Sequence, residues 1–263
     1  MREMFDARPV SVPSDVYGLP ARPDSHHPVK LLPGLWQVGG GHLTDERDAA
    51  AFLLVSRGEA MLIDCGSPVG VDALTHNVDQ ITDWSNVRLI VGTHGHFDHV
   101  GAVTLLRERA DFTFALHHAD VAQVETGDPD LTCAGWLYEQ RFPPAHVDWR
   151  LDDGAVFEVG DIVCQALHLP GHTRGSIGIL THLAGLTVLI PGDAVNGFYS
   201  PRIQSDLEHW PESLRRLLGY DIDLMVPNHG SSVLSADVPL RVQQALRRLE
   251  LGFLTFEEPK SYK

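Results

Sequence analysis

Three imidazoles and a carboxylate fall within six residues in the run Thr93-His94-Gly95-His96-Phe97-Asp98-His99-Val100-Gly101. So dense a polar set has no place in an apolar core, because buried polar atoms need partners. Metal coordination is the chemistry that uses it: imidazole nitrogen and carboxylate oxygen are donors for divalent zinc, iron or manganese. His94 and His96 lie two apart, so an extended segment sends both to one side, whereas Asp98 and His99 turn away at the start of a following helix. One short loop then serves two neighbouring ions.

Each ion needs further donors, and the chain offers three. They are His172 in Leu169-Pro170-Gly171-His172-Thr173-Arg174-Gly175-Ser176, Asp193 in Pro191-Gly192-Asp193-Ala194 and His229 in Pro227-Asn228-His229-Gly230. Each follows an apolar run and sits beside glycine, which lets the backbone approach a metal without side-chain obstruction. Taken singly, Asp193 or His229 reads as a loop residue or a cap; their company with the His94 cluster makes them ligand candidates. The remaining histidines, His117-His118 among them, lack ligand spacing and read as structural or solvated.

The elements that must position these residues are short strands. Ala51 to Val55 and Ala60 to Ile63 predict a hairpin with Gly58 in its turn. Val87 to Val91 predicts a buried strand that delivers Thr93-His94, Val100 to Arg109 a helix, and Phe112 to Leu116 the next strand. Further strands are predicted at Ile162 to Leu169, Ser176 to Leu180, Leu186 to Ile190 and Ile222 to Val226; all but the second end at Pro or Gly followed by a candidate ligand. Weak helical spacing marks Val69 to Trp84. Helices over about Ser205 to Leu218 and Val238 to Leu249 complete the body, the former starting on a Ser205/Glu208 capping box or at Pro211. Residues 125–149, with Trp136, Tyr138, Phe142 and Trp149, are irregular and read as a lid or insertion. Residues 1–33 hold six prolines without hydrophobic periodicity. They read as an extended N-terminal arm that packs on its own body or joins a homo-oligomer, leaving 34–263 as the catalytic domain.

A length of 263 residues suits one large α/β domain, and 43% hydrophobic residues supply an ample core. The net charge of −15 repels polyanions, which argues against nucleic acid as a partner. No basic cluster is denser than Arg215-Arg216 or Arg247-Arg248, both in ordinary amphipathic helical sequence. No stretch reaches the ~20 apolar residues of a bilayer span, and Met1 to Asp15 lack the apolar run of a signal peptide. Cys65, Cys133 and Cys164 are odd in number and widely spaced, which argues against a disulfide framework and for a cytoplasmic protein.

From about Leu35 to Ser232 the chain resembles the metallo-β-lactamase superfamily, through its H-x-H-x-D-H run followed in order by His172, Asp193 and His229. The resemblance implies an α/β fold, an αββα sandwich with metals at one edge of the paired sheets. It places His94, His96 and His172 on a first ion and Asp98, His99 and His229 on a second, with Asp193 bridging. Asp64, in Leu62-Ile63-Asp64-Cys65-Gly66, matches the acidic residue that orients the histidine loop from behind. Two divalent ions, zinc foremost with iron or manganese as alternatives, would activate a shared water and polarise a carbonyl. Asp98 would also orient that water or pass its proton to the leaving group.

The implied activity is hydrolysis of an ester-like bond in a small molecule: a lactone, thioester or carboxylic ester. Asp193 argues against β-lactam hydrolysis, since the β-lactamases of the family generally lack it, and His96 stands where diiron oxygen reductases carry Glu. The segment Ala194-Val195-Asn196-Gly197-Phe198-Tyr199-Ser200-Pro201-Arg202 lacks the Gly-Cys-Gly-Arg of glyoxalase II and of persulfide dioxygenases. The tyrosine of quorum-quenching lactonases is not at its usual spacing, and Tyr199 is the candidate to replace it. A mononuclear-iron persulfide dioxygenase is the alternative reaction class, and a metal-bound scaffold the non-enzymatic alternative. Substrate contact is assigned by position to Phe198, Tyr199 and Trp136.

Overall fold

The structure, a computed structural model, describes residues 27–230 and 236–252. Its first sheet follows chain order. Strands β1 (Val29–Leu32), β2 (Leu35–Gln37), β3 (Phe52–Ser56) and β4 (Glu59–Ile63) run antiparallel in succession, then β5 (Val87–Val91), β6 (Thr113–His117) and β7 (Trp149–Leu151) add parallel to β4. Arg57 and Gly58 close the β3–β4 hairpin at φ 50° and 82°, the left-handed pair that a two-residue turn requires. Parallel strands need long crossovers. These carry α1 (Val71–Asp79), α2 (Phe97–Val100), α3 (Val103–Leu106) and α4 (Val121–Thr126).

The second sheet has the order β12-β11-β10-β9-β8, from β8 (Val156–Val159), β9 (Ile162–His168), β10 (Ile177–Leu183), β11 (Leu186–Ile190) and β12 (Leu224–Met225). Side-chain alternation decides the layers. On β4, Met61 and Ile63 enter the cluster between the sheets, with Ile179 and Val188 of the second sheet, while Ala60 and Leu62 enter a cluster with Leu74 and Val103 beneath the helices. Burial on both faces explains the unbroken apolar run of β4. The outer face of the second sheet meets α5 (Trp210–Leu217) and α6 (Val238–Glu250) through Leu167, Leu189, Trp210, Leu214 and Val242. The result is the expected αββα sandwich.

Two expectations are corrected, and the start of α5, left open between Ser205 and Pro211, is decided. Val29–Leu32, assigned to the arm, is the edge strand of the first sheet, so the body begins before residue 34. Residues 1–26 of the expected arm lie outside the described residues. The single helix over Val100 to Arg109 is two short helices, because the His99 carbonyl accepts from Cys65 and Gly66 N–H at 2.7 and 3.1 Å and the loop after β4 packs there. Helix α5 begins at Trp210 with Pro211 in its first turn; Ser205 instead donates its hydroxyl to the His172 carbonyl at 2.8 Å. Strand β8 was not anticipated, being four residues long and half exposed. Cys65, Cys133 and Cys164 are free and buried. Among the described residues no helix is long and apolar enough to cross a membrane.

Trp210 ties the outer helix layer to two loops of the future site. It is fully buried, donates Nε1–H to the Ala194 carbonyl at 2.7 Å, and lies so close to Gly171 that a Cβ there would come within 2.3 Å of its ring. Trp210→Ala is expected to lower unfolding free energy by ~3–5 kcal/mol, read from urea denaturation. A loss below ~1 kcal/mol would show that the layer is not held by this side chain.

Candidate metal centre

All the chemistry-bearing side chains sit just past the C-terminal ends of strands, where sheets of this kind open a crevice. Asp64 follows β4, the His94 loop β5, Asp120 β6, His172 β9, Asp193 β11 and His229 β12.

Two buried aspartates set the loops. Asp64, at φ 57°, accepts from Thr93 N–H (2.7 Å) at Oδ1, and at Oδ2 from Thr93 Oγ1, Asn228 Nδ2 and His99 Nδ1, each at 2.8 Å. With Nδ1 of His99 fixed in this way, Nε2 faces the cluster. Asp120 accepts from Gly95 N–H (2.9 Å), Thr173 Oγ1 (2.8 Å) and Gly175 N–H (2.7 Å). It thereby joins the His94 loop to the His172 loop. Burial pushes the Asp120 carboxyl up from its ordinary value against the pull of these donors. His172 is aimed in the same manner, its Nδ1 lying 2.7 Å from the Phe198 carbonyl.

The aimed atoms converge. His94 Nε2 lies 2.9 Å from His96 Nδ1, which is 3.1 Å from His172 Nε2. His99 Nε2 lies 3.1 Å from His229 Nε2, and Asp98 Oδ2 is 3.2 Å from the latter. Asp193 stands between the two sets, Oδ2 being 3.4 Å from His172 Nε2 and Oδ1 3.5 Å from His229 Nε2 and 3.6 Å from His99 Nε2. Three overlapping groups each place their ligand atoms within 4.8 Å of one another: His94, His96 and His172; His94, His99 and Asp193; Asp98, His99 and His229.

This donor set fits a divalent metal. Asp193 Oδ1 is buried without a hydrogen-bond partner, an oxygen that a cation would satisfy. Burial and neighbouring imidazoles push His94 and His96 well below their ordinary pKa, leaving the neutral rings that coordinate. Burial acts on His99 in the same sense but is outweighed by Asp98, Asp64 and Asp193, which hold its pKa up at about 10. Three buried carboxylates thus demand positive charge at one point.

A cavity of about 150 Å³ opens over Asp98, Asp193 and His229, walled by Leu137, Tyr138 and Phe198. It adjoins a wider trough of about 460 Å³ lined by Glu46, Arg47 and again Leu137, Tyr138 and His229. The irregular 125–149 segment therefore does reach the site. Tyr138 lines the cavity beside Asp98, and burial with that negative neighbour pushes the phenol well above its ordinary range. Phe198 lies edge-on to His172, centroids 5.1 Å apart, and Trp136 stands behind Phe198 at 6.2 Å. Tyr199 is corrected: it packs against the core of α5 and α6 and is not among the residues of this cavity, because consecutive side chains of the segment point opposite ways. Sequence reasoning missed Asp120, Tyr138 and Asn228. Asp120 had a signal, since it too closely follows a predicted strand; nothing in the sequence tied Tyr138 to Asp98.

Fold and site together define a metal-binding centre at the edge of an αββα sandwich. Residues 44–229 match the sequence profile of the metallo-beta-lactamase superfamily, and the chain belongs to that family. It is 32% identical over 122 residues to the acyl-coenzyme A thioesterase MBLAC2 of Gallus gallus, covering 41% of each protein. To the hydroxyacylglutathione hydrolase GloC of Haemophilus influenzae it is 29% identical over 131 residues, covering 47% of this chain and 56% of GloC. The chain thus spans about half or less of the first relatives it matches. Its fold superposes on a metallo-beta-lactamase from Cronobacter sakazakii with TM-score 0.74 at 22% identity, covering 86% of this chain and 96% of that one.

Asp120→Ala removes the acceptor shared by two ligand loops and leaves the Gly95 and Gly175 N–H groups unpaired. Metal affinity, read by competition with a chromophoric chelator, is expected to fall ~10–100-fold. Unchanged affinity would separate Asp120 from ligand placement.

Proposed function

We propose that this chain is a dinuclear metal-dependent hydrolase of ester-like bonds in small molecules. The observation that carries this reading is Asp193, which turns one carboxylate oxygen to His172 and the other to His99 and His229. His94, His96 and His172 would hold one ion and Asp98, His99 and His229 the other, with Asp193 shared; zinc suits these nitrogen and oxygen donors, as do iron and manganese. When bound, the ions supply a water acidic enough to act as hydroxide near neutral pH and an electrophilic partner for the substrate carbonyl oxygen. Among lactones, thioesters and carboxylic esters, thioesters are favoured by the likeness to a thioesterase and a hydroxyacylglutathione hydrolase.

The protein's own groups do the rest. Asp98, buried and facing the cavity, orients the attacking water and passes its proton to the departing thiolate or alkoxide. Tyr138, beside Asp98 in the cavity wall, is the hydroxyl placed to steady that carboxylate as substrate enters. Leu137 and Phe198 form the apolar wall that excludes bulk water and receives the substrate, and Trp136 backs Phe198. The alternative dioxygenase chemistry would need one iron, and it leaves the second donor set of Asp98, His99 and His229 without a purpose.

A metal-replete preparation is expected to hold two transition-metal ions per chain. Asp193→Ala should lower metal content and kcat together, whereas His182→Ala, an exposed site away from the cluster, should leave both near wild type. His117 is a poor control, being buried and stacked on His168 with centroids 3.9 Å apart. One iron per chain in the replete protein would overturn the hydrolase reading.

Tyr138→Phe removes the hydroxyl that would donate to Asp98 during turnover, and a hydrogen bond to a charged group is worth ~1.5–3 kcal/mol. A fall in kcat of about 10-fold or more is expected with metal content retained. An unaltered kcat would remove Tyr138 from the mechanism.

A further inference from the structure

The net charge of −15 conceals one basic concavity beside the metal centre. A groove of about 400 Å³ is lined by Arg241, Gln244, Arg247 and Arg248 of α6 and by Asn196. The helix makes it by spacing: Val238, Val242 and Ala245 bury one face, and positions 241, 244, 247 and 248 fall together on the neighbouring one. Asn196 also lines the catalytic cavity and donates Nδ2–H to the His229 carbonyl at 3.2 Å. The groove and the cavity therefore share a wall. Arg248 Nη2 donates to the Val195 carbonyl at 2.9 Å, which ties α6 to the loop that carries Asp193.

Taking the hydrolase reading as its basis, we infer that this groove binds a phosphoryl group on the leaving portion of the substrate. Three arginines line it, and the pair of Arg247 with Glu250 at 3.6 Å is exposed and solvent-screened, so that it yields to a stronger anion. A lone carboxylate takes a single guanidinium fork, whereas a phosphate of charge near −2 offers three oxygens to several forks at once. Arg248, held by its Nη2 bond to Val195, presents its guanidinium from a fixed position at the groove wall. A substrate with its carbonyl in the catalytic cavity reaches the arginines by extending past Asn196. In a chain of strongly negative charge, a local basic groove is also what admits an anionic substrate.

The test has two arms. In the first, kcat/KM is measured for an acyl-coenzyme A, for the matching S-acyl-pantetheine, which lacks phosphate, and for S-lactoylglutathione, whose anionic groups are carboxylates alone. Wild type is expected to prefer the phosphorylated thioester to the neutral one by at least 10-fold. Arg241→Ala/Arg247→Ala should erase most of that preference through KM, while Arg215→Ala, an exposed arginine of α5 outside the groove, should preserve it. Equal rates on the phosphorylated and neutral thioesters, a preference for S-lactoylglutathione, or a uniform decline of all three substrates in the double variant would overturn the inference. The second arm measures adenosine 3′,5′-bisphosphate binding by calorimetry. The double variant should lose at least 10-fold in affinity and Asp193→Ala should retain it; the reverse pattern would assign phosphate to the metals and overturn the groove. Binding that follows the arginines without turnover of any thioester would reject the thioester reading and leave the phosphoryl site standing.

Discussion

The carboxylate of Asp64 is the point on which the site depends. It has no solvent exposure, and four donors from three residues meet it: the backbone and hydroxyl of Thr93, the ring of His99 and the amide of Asn228. Such a group is stable only while fully partnered, since a buried charge with missing donors is strongly destabilising. The requirement works in both directions. Asp64 fixes which nitrogen of His99 faces the cluster, and the loops after β5 and β12 are fixed by the need to satisfy Asp64. Asn228 extends the tie to the β2–β3 loop through paired bonds with Ala50, its side-chain amide donating to the Ala50 carbonyl at 3.0 Å and its backbone carbonyl accepting from Ala50 N–H at 2.9 Å.

Asp120 makes the same kind of knot on the other side, joining the sheets through Gly95, Thr173 and Gly175. A Cβ on Gly175 would come within 2.5 Å of the Asp120 carboxyl carbon, so the close approach requires glycine there. Between the two knots lie Asp98 and Asp193, whose charges draw the imidazoles inward. Backbone stiffness comes from the sheets, since every loop involved leaves a strand buried in the central or outer cores. The carboxylates then convert that stiffness into fixed ring orientations.

The legibility of this arrangement in the sequence follows from range. Strands β3, β4, β5 and β11 showed as apolar runs bounded by turn residues, and the ligand set showed because its members carry unusual residue types in tight local spacing or at strand ends. Short or half-exposed elements such as β1 and β8 gave little periodicity to read. The break between α2 and α3 was invisible because it comes from the Cys65 and Gly66 amides, more than thirty positions away in the chain from their acceptor His99. Tyr199 was misplaced for a complementary reason: its proximity to Asp193 along the chain is real, but extended backbone sends Phe198 and Tyr199 to opposite sides. Tyr138 and Asp120 act beside partners distant in sequence; only the place of Asp120 shortly after a predicted strand marks it, and no local pattern marks Tyr138.

Arg247-Arg248 shows how context changes the meaning of a motif. In the sequence it is an ordinary basic pair on an amphipathic helix, indistinguishable from Arg215-Arg216. The two pairs separate only when the fold is assembled. Arg216 is taken up by Asp153 and the His168 carbonyl at the back of the sheet, at 2.8 and 3.1 Å. The α6 pair instead lies against the loop that carries Asp193 and shares a groove with Asn196. Reaction chemistry is therefore lodged in strand-end residues that the sheets hold rigidly, while the walls that would select a substrate come from α6, the 125–149 segment and Phe198. Those walls are free to vary without disturbing Asp64 or Asp120, so a ligand set of this kind specifies a bond type far more tightly than it specifies a molecule.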